Sequence, residues 1–296
     1  MGTIAIMGDI GGQLRIFYKT LRKLGVSTDL KIPEGLTIIN VGDIARMSDD
    51  PNLDSLACVE LADQLIKRNP NQWIQLLGNH ESPFIDGPSL DHWYNLSHFE
   101  KSQEIVSDWW DNGLAKLGKV LETKESKLDT VITHAGITSG FMRNNGFMNL
   151  DYNGISEHRE FIKFLNNIPN NSEINYSDIA ATGAVAFQKD NNLSADCLWA
   201  STANELYPSW NGRSIGFNQL HGHDTPLMSW DTLELWDSVS EDMRARLSID
   251  PVKRHTSYEH TSGETFYTVD WVLKNNVRLD SSTWELKFFE DARIIV

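Results

Sequence analysis

The sequence predicts a layered α/β fold. Three observations carry that expectation: short apolar runs that read as buried strands, helical stripes between them, and a turn bearing a polar side chain directly after each run. Thr3-Ile4-Ala5-Ile6-Met7 enters Gly8-Asp9-Ile10-Gly11-Gly12, and Leu36-Thr37-Ile38-Ile39-Asn40-Val41 enters Gly42-Asp43-Ile44-Ala45-Arg46. Trp73-Ile74-Gln75-Leu76-Leu77 enters Gly78-Asn79-His80-Glu81, and Thr130-Val131-Ile132-Thr133 enters His134-Ala135-Gly136. A fifth segment, Phe217-Asn218-Gln219-Leu220, enters His221-Gly222-His223-Asp224.

The helical stripes follow in order. Leu14, Phe17, Leu21 and Leu24 recur at helical spacing, with Gly25 placed as a C-cap. Leu53, Leu56, Ala57, Leu61 and Leu65 form a second stripe that Pro70 ends, and Val106, Trp109, Trp110, Leu114 and Leu117 form a third. From 138 to 196 the periodicity weakens, and a helical insertion is expected there, with Asn166 to Ser172 as a loop. Glu264 to Asp270 and Glu285 to Phe289 read as late strands within a C-terminal segment, 264–296, that adds to the sheet or builds a second one. No linker or repeat divides the chain, so one domain over 1–296 is expected.

Composition narrows the function. The net charge of −15 disfavours a nucleic-acid partner, because the surface lacks the cationic excess that follows a phosphate backbone. A small phosphorylated substrate remains compatible, since bound cations invert the local field. Two cysteines, Cys58 and Cys197, give no zinc-finger or redox spacing and fit a reducing compartment. No apolar run approaches membrane-spanning length, and Met1-Gly2-Thr3-Ile4 resembles neither a signal peptide nor a lipidation site. A cytoplasmic protein without membrane attachment is the expectation. Oligomeric state is left open. The ten tryptophans are read as core and scattered surface.

Ligands of α/β folds bind outside the carboxyl ends of strands, so the five turns are expected to meet at one point. Two carboxylates, an amide carbonyl and two or three imidazoles form a mixed oxygen and nitrogen donor set. Such a set suits Mn, Fe or Zn better than Ca, and no thiolate favours a softer ion. A carboxylate can bridge two ions about 3.5–4 Å apart, and a water between them would lose its proton near neutral pH and attack phosphorus in line. The Gly8 to Gly12 loop lacks the full Gly-x-Gly-x-x-Gly spacing of a dinucleotide loop.

In their order, these turns resemble the calcineurin-like metallophosphoesterases, in particular the bacterial branch similar to protein Ser/Thr phosphatases. That family carries Asp-x-His, Gly-Asp-x-x-Asp-Arg, Gly-Asn-His-Glu, His-Ala-Gly and Gly-His turns. Gly8-Asp9, Gly42-Asp43, Gly78 to Glu81, His134 to Gly136 and Gly222-His223 match, and Leu198-Trp199-Ala200-Ser201 resembles a Leu-Trp-Ser segment. The resemblance, over residues 3 to 226, implies a four-layer αββα sandwich and two divalent metal ions, manganese first and iron or zinc as alternatives. It implies Asp9 on the first metal, Asp43 bridging both, and Asn79, His134 and His223 on the second. His80 would act as acid or donor at the phosphoryl group, and Arg46 would contact a phosphate oxygen.

Two family residues are missing. Gly11 stands where the Asp-x-His turn has its ligand, and Ala45 stands where a second Asp would support the catalytic His. Asp49 or Asp50 is the candidate to fold back in its place. His221 has two readings, a further metal ligand in a His-x-His arrangement or a buried structural histidine. The Thr225-Pro226 pair favours His223 as the matched residue. His255, His260 and the acidic stretch from Glu122 to Asp129 are read as ordinary solvated loop. The implied activity is metal-dependent phosphomonoester hydrolysis by a metal-bridging hydroxide, acting on a phosphoprotein or a small metabolite. A dinucleoside polyphosphate hydrolase or phosphodiesterase is the alternative, and a catalytically weak metal-binding protein is the reading from another class.

Overall fold

The computed structural model describes residues 2–51, 53–124, 126–147, 157–180, 193–213, 215–223, 247–250, 255–259, 263–269 and 286–296. The first four expected strands appear as β1 (Gly2–Met7), β2 (Leu36–Asn40), β3 (Trp73–Leu76) and, after two further strands, β6 (Thr130–Thr133). Those two are β4 (Ala115–Lys116) and β5 (Gly118–Glu122), which follow the third helix. The chain continues through β7 (Asn218–His221), β8 (Leu247–Asp250), β9 (His255–Glu259), β10 (Thr265–Thr268) and β11 (Leu286–Ile294). His255 therefore opens a strand rather than lying in a loop, whereas His260 lies outside the described residues.

Hydrogen bonding orders the strands β4-β3-β2-β1-β11-β5-β6-β7-β10-β9-β8. β1, β2 and β3 are parallel, as are β6, β7 and β10. β11 pairs antiparallel with β1 along Leu286 to Ala292 and with β5 through Arg293 and Ile294. The last strand thus joins two wings, and its nine residues make it the longest strand among the described residues.

Side-chain alternation turns these wings into a sandwich. Ile4, Ile6, Ile39, Val41 and Leu76 from one wing meet Leu121, Ile132 and Leu220 from the other, with Phe289 and Ala292 of β11, in one buried cluster. The neighbouring residues Ala5, Met7, Ile38, Trp73, Val120, Val131 and Phe266 face outward into a second cluster, shared with the helices. Helices lie outside both wings, giving the expected four layers. Strands buried on both faces explain the near-continuous apolar runs.

The helices follow the sequence stripes with shifts in phase. α1 (Leu14–Lys23) ends as expected, with Gly25 N–H on Arg22 O and Val26 N–H on Leu21 O closing the last turn. α2 (Ser55–Arg68) starts at Asp54, whose carboxylate accepts Ala57 N–H at 3.1 Å. It buries Cys58, Leu61, Ala62 and Leu65, leaving Leu56 and Ala57 half-buried. α3 (Phe99–Asp111) buries Val106, Trp109 and Trp110 and stops before Gly113, so Leu114 and Leu117 belong to the following turn and strand edge. Between 138 and 196 the described residues include α4 (Ser139–Asn144) and α5 (Glu157–Asn167), and α5 packs against β5.

Asp129 departs from the loop reading. It is buried, and its carboxylate takes His158 Nε2 at 2.7 Å and an Arg159 fork at 2.5 and 2.8 Å. A sequence window around Asp129 cannot show partners about one α5 turn into a later helix. Cys58 and Cys197 are both buried and free. Among the described residues, no helix is long and apolar enough to cross a membrane.

Candidate metal centre

The turns after β1, β2, β3, β6 and β7 converge. Ile10 and Gly11 N–H donate to Asp43 O, and Gly222 N–H donates to His134 O at 2.7 Å. Two glycines allow the close approach. A Cβ on Gly78 would collide with Asp43 Oδ1, and one on Gly222 would collide with Asp9 Oδ1. These positions admit only hydrogen because each lies where one loop backbone rests on the next loop's carboxylate.

Asp43, His134 and His223 offer ligand atoms that all lie within 4.8 Å of one another. Asp43 sits in the left-handed region, φ 49°, which Asp tolerates better than most residues. Its backbone N–H donates to Glu81 Oε2 at 2.8 Å, and its Oδ1 accepts His80 N–H at 3.0 Å. Burial opposes ionisation of Asp43, but the facing His80 and His134 rings outweigh it and hold its pKa below the ordinary carboxylate range.

Asn79 brings the fourth donor. Its amide oxygen lies 3.1 Å from His134 Nε2. That oxygen faces only acceptors, whereas the amide turned over would donate its N–H groups to both Asp43 oxygens, His134 Nε2 and His223 Nδ1 at 3.1–3.2 Å. Lone pairs therefore surround a single point, an arrangement that needs a cation or a proton to hold it together. The residues present thus fit a divalent ion.

The histidines are set to offer those lone pairs. His134 is fully buried, and its Nδ1 lies 3.0 Å from Val41 O, so Nδ1 carries the proton and Nε2 the lone pair. Burial lowers the His134 pKa, against the pull of Asp43. Burial, then proximity to His134, depresses His223 to about 3. His223 is reached through a φ of 64°, and its N–H donates to Asp9 Oδ1 at 3.3 Å. Both shifts favour the neutral ring, the form that binds a metal.

Asp9 flanks this group, with its Oδ1 3.8 Å from His134 Nδ1. His221 is not in the Asp43, His134 and His223 group, and its Nε2 is buried without a hydrogen-bond partner among the described residues. Its Nδ1 lies 3.0 Å from Gly222 O, its ring faces Tyr207 edge-on at 6.5 Å, and burial depresses its pKa to about 4. Strand alternation explains the ring's direction: Leu220 faces the inter-sheet core, so His221 points to the opposite side, toward Tyr207. Asp224, Thr225 and Pro226 lie outside the described residues.

His80 occupies the rim. Its Nδ1 lies 3.1 Å from the Ala45 carbonyl and 3.6 Å from Asp43 Oδ2. A main-chain oxygen thus stands where a supporting Asp was sought. Asp49 does not fold back onto His80, since its Oδ1 accepts the Ser97 N–H and hydroxyl at 3.3 and 3.1 Å. Arg46 has an exposed side chain beside the Gly12 turn, while its backbone is clamped to Ser55 Oγ at 2.9 and 3.0 Å.

Glu81 is a site residue whose role the sequence does not show. It is fully buried and accepts N–H bonds from Asp43, Ile44, Ala45 and Gly78 at 2.8, 3.0, 3.3 and 2.8 Å. Burial, then the Asp43 charge, pushes its pKa up to about 8, and the backbone donors oppose that shift. One side chain thereby ties the Asp43 turn to the Asn79 turn. The one signal in the sequence is its place at the end of the Gly78-Asn79-His80-Glu81 turn, which does not show its partners.

Solved structures of similar architecture share little sequence with the chain. A cold-active protein-tyrosine phosphatase of a psychrophilic Shewanella species is 13% identical, with a TM-score of 0.49 over 100% of this chain and 77% of that one. A protein serine/threonine phosphatase from Saccharomyces cerevisiae, with similarity to human phosphatase PP5, is 14% identical, with a TM-score of 0.43 over 98% and 80%. A metallophosphoesterase from Sphaerobacter thermophilus is 12% identical, with a TM-score of 0.35 over 90% and 75%. No curated protein matches the chain. The sequence profile of the calcineurin-like phosphoesterases matches residues 2–200, which span the Asp9, Asp43, Asn79 and His134 turns. This chain belongs to the calcineurin-like phosphoesterase family.

Proposed function

We propose that the protein is a divalent-metal-dependent hydrolase of phosphate monoesters. The observation that carries this reading is the convergence of Asp43, Asn79, His134 and His223 on one point, with His80 on the rim. Asp43, Asn79, His134 and His223 would hold one ion tightly. Asp9, with Asp43 as the shared carboxylate, would hold a second ion more weakly. Oxygen and imidazole donors without thiolate place manganese first, then iron or zinc. When bound, such ions supply a nucleophilic water at neutral pH and neutralise phosphoryl charge.

The chain's own residues do the remaining tasks. Val41 O fixes the His134 tautomer, and Glu81 fixes the Asp43 and Asn79 turns relative to each other. With Nδ1 committed to Ala45 O, His80 presents Nε2 to the substrate as the proton donor for the departing oxygen. Arg46, exposed beside the Gly12 turn, would take a phosphate oxygen in its guanidinium fork. The substrate is a phosphoprotein or small phosphorylated metabolite, and the acidic surface disfavours nucleic acid.

The test pairs metal stoichiometry with turnover of 4-nitrophenyl phosphate and its bis-ester. Two bound manganese ions of unequal affinity and a monoester rate above the diester rate are expected. One ion or none, with no turnover of either ester at saturating manganese, would sink the enzyme reading in favour of a metal-binding protein.

A further inference from the structure

We propose that the stacked pair Trp93 and Trp199 is a positioning device for His80, standing in for a supporting carboxylate. This rests on the phosphomonoesterase reading above. Among the described residues the His80 ring has one hydrogen bond, from Nδ1 to the neutral Ala45 carbonyl at 3.1 Å, while the Asp43 carboxylate lies beyond hydrogen-bond distance at 3.6 Å. A neutral carbonyl grips an imidazole less strongly than a carboxylate would, so the ring needs a second restraint.

Trp93 supplies it. Its ring meets the His80 ring edge-to-face, with centroids 5.4 Å apart and planes at 81°. Trp199 backs Trp93 in a near-parallel stack, 6.0 Å and 14°. The two indoles are 4% and 6% exposed, so their faces are spent on each other and on His80. That burial separates a positioning role from a platform on which a substrate would stack. The Trp199 indole N–H has no hydrogen-bond partner among the described residues, so packing rather than hydrogen bonding sets its place.

The far end of the stack is anchored to the metal centre. Asp196 Oδ1 accepts Leu198 N–H and Trp199 N–H at 2.8 and 3.2 Å, which holds the turn carrying Trp199. Cys197 O in that turn accepts Ala135 N–H at 2.7 Å, next to His134. The stack therefore references the His80 ring to the loop that bears His134, so donor and metal ligands keep a common frame. A ring free to turn would still leave the metal ligands intact but would misplace Nε2.

The test compares wild type, Trp93→Phe and Trp93→Leu with manganese on two monoesters. One is 4-nitrophenyl phosphate, whose leaving group departs without much protonation. The other is glycerol phosphate, whose alkoxide needs the proton. Trp93→Leu is expected to lower kcat on glycerol phosphate by about 10²-fold, the scale of a misplaced catalytic group, with KM little changed. On the nitrophenyl ester the loss is expected to stay near about 3-fold, because proton donation matters less there. Trp93→Phe, which keeps an edge-to-face ring, should recover most of the loss.

An independent readout is the His80 imidazole in long-range 1H–15N spectra of the metal-free protein, which should broaden or shift in Trp93→Leu and not in Trp93→Phe. If Trp93→Leu does not fold, Trp199→Leu carries the same comparison. Equal losses on both esters, Phe no better than Leu, or an unmoved His80 signal would overturn the inference. Wild type inert toward both esters would overturn the functional reading and this inference with it. Wild-type turnover with an unmoved ester ratio would overturn this inference alone.

Discussion

The two halves of the metal centre are built differently. In the half built on Asp43, Asn79, His134 and His223, other parts of the chain hold three of the residues: Val41 O on His134, Glu81 on the Asp43 backbone with His80 N–H on Asp43 Oδ1, and Asp9 Oδ1 on the His223 N–H. Around Asp9 the scaffold is equally close, since the Asp43 carbonyl accepts Ile10 and Gly11 N–H, but a donor has gone. A Cβ at Gly11 would meet nothing within 4 Å, although the φ of 55° there strains a side chain. The contrast teaches that scaffold and ligand set are separable. Backbone hydrogen bonds hold the Asp9 turn whatever occupies position 11, whereas affinity depends on the side chains present.

The largest expected effect attacks the residue both halves share. Asp43→Asn keeps the left-handed backbone, because Asn tolerates it, and keeps the shape while removing the charge. Turnover of 4-nitrophenyl phosphate should fall about 10³-fold, the scale of losing a transition-state charge partner. A variant retaining a tenth of wild-type kcat would show that Asp43 does not bridge.

Glu81→Gln tests whether the scaffold or the ligands hold the braced half. Its amide would turn an N–H group toward backbone N–H donors in a fully buried site. A loss of about 3 kcal/mol in urea unfolding is expected, the cost of buried groups left unpaired. Stability within a few tenths of wild type would mean that the four donors do not depend on it.

Gly11→His tries to repair the sparse half. The backbone strain costs about 1 kcal/mol, and the added imidazole enters open space. The weaker manganese binding event should tighten by about tenfold or more, as expected when a metal shell is completed. Calorimetry showing two unchanged binding events would place the weak ion elsewhere.

His221→Gln has the smallest expected effect. The ring faces Tyr207 and is not in the Asp43, His134 and His223 group. Manganese affinity should change by less than about 2-fold, within the range of an uninvolved neighbour. A tenfold loss would move His221 into the ligand set and erase part of the difference between the halves.

Much of this was legible in the residues. The strands that bear the site are short apolar runs, and each stops at a turn with a polar tip, so element type and motif order could be read locally. β4 and β5 are hard to read locally because Ala115-Lys116 is only two residues long and Gly118-Lys119-Val120-Leu121-Glu122 opens on a glycine and mixes charged with apolar residues. The reach of β11 across both wings was invisible for another reason. Leu286 to Ile294 holds both hydrophobic and charged residues, and only pairing with β1 and β5 explains the pattern.

The sequence by itself determined the order of the turns, the residue types at their tips, and the absence of a histidine at position 11 and a carboxylate at position 45. Each of these is a local property of a few neighbouring residues. Tertiary structure alone decided what those tips touch. His134 meets Val41 across 93 positions, His223 meets Asp9 across 214, and the Ala45 carbonyl reaches His80 across 35. A main-chain carbonyl leaves no trace in residue identity. Its availability depends on where the backbone turns in space, and so the partner of His80 could be found only in the fold.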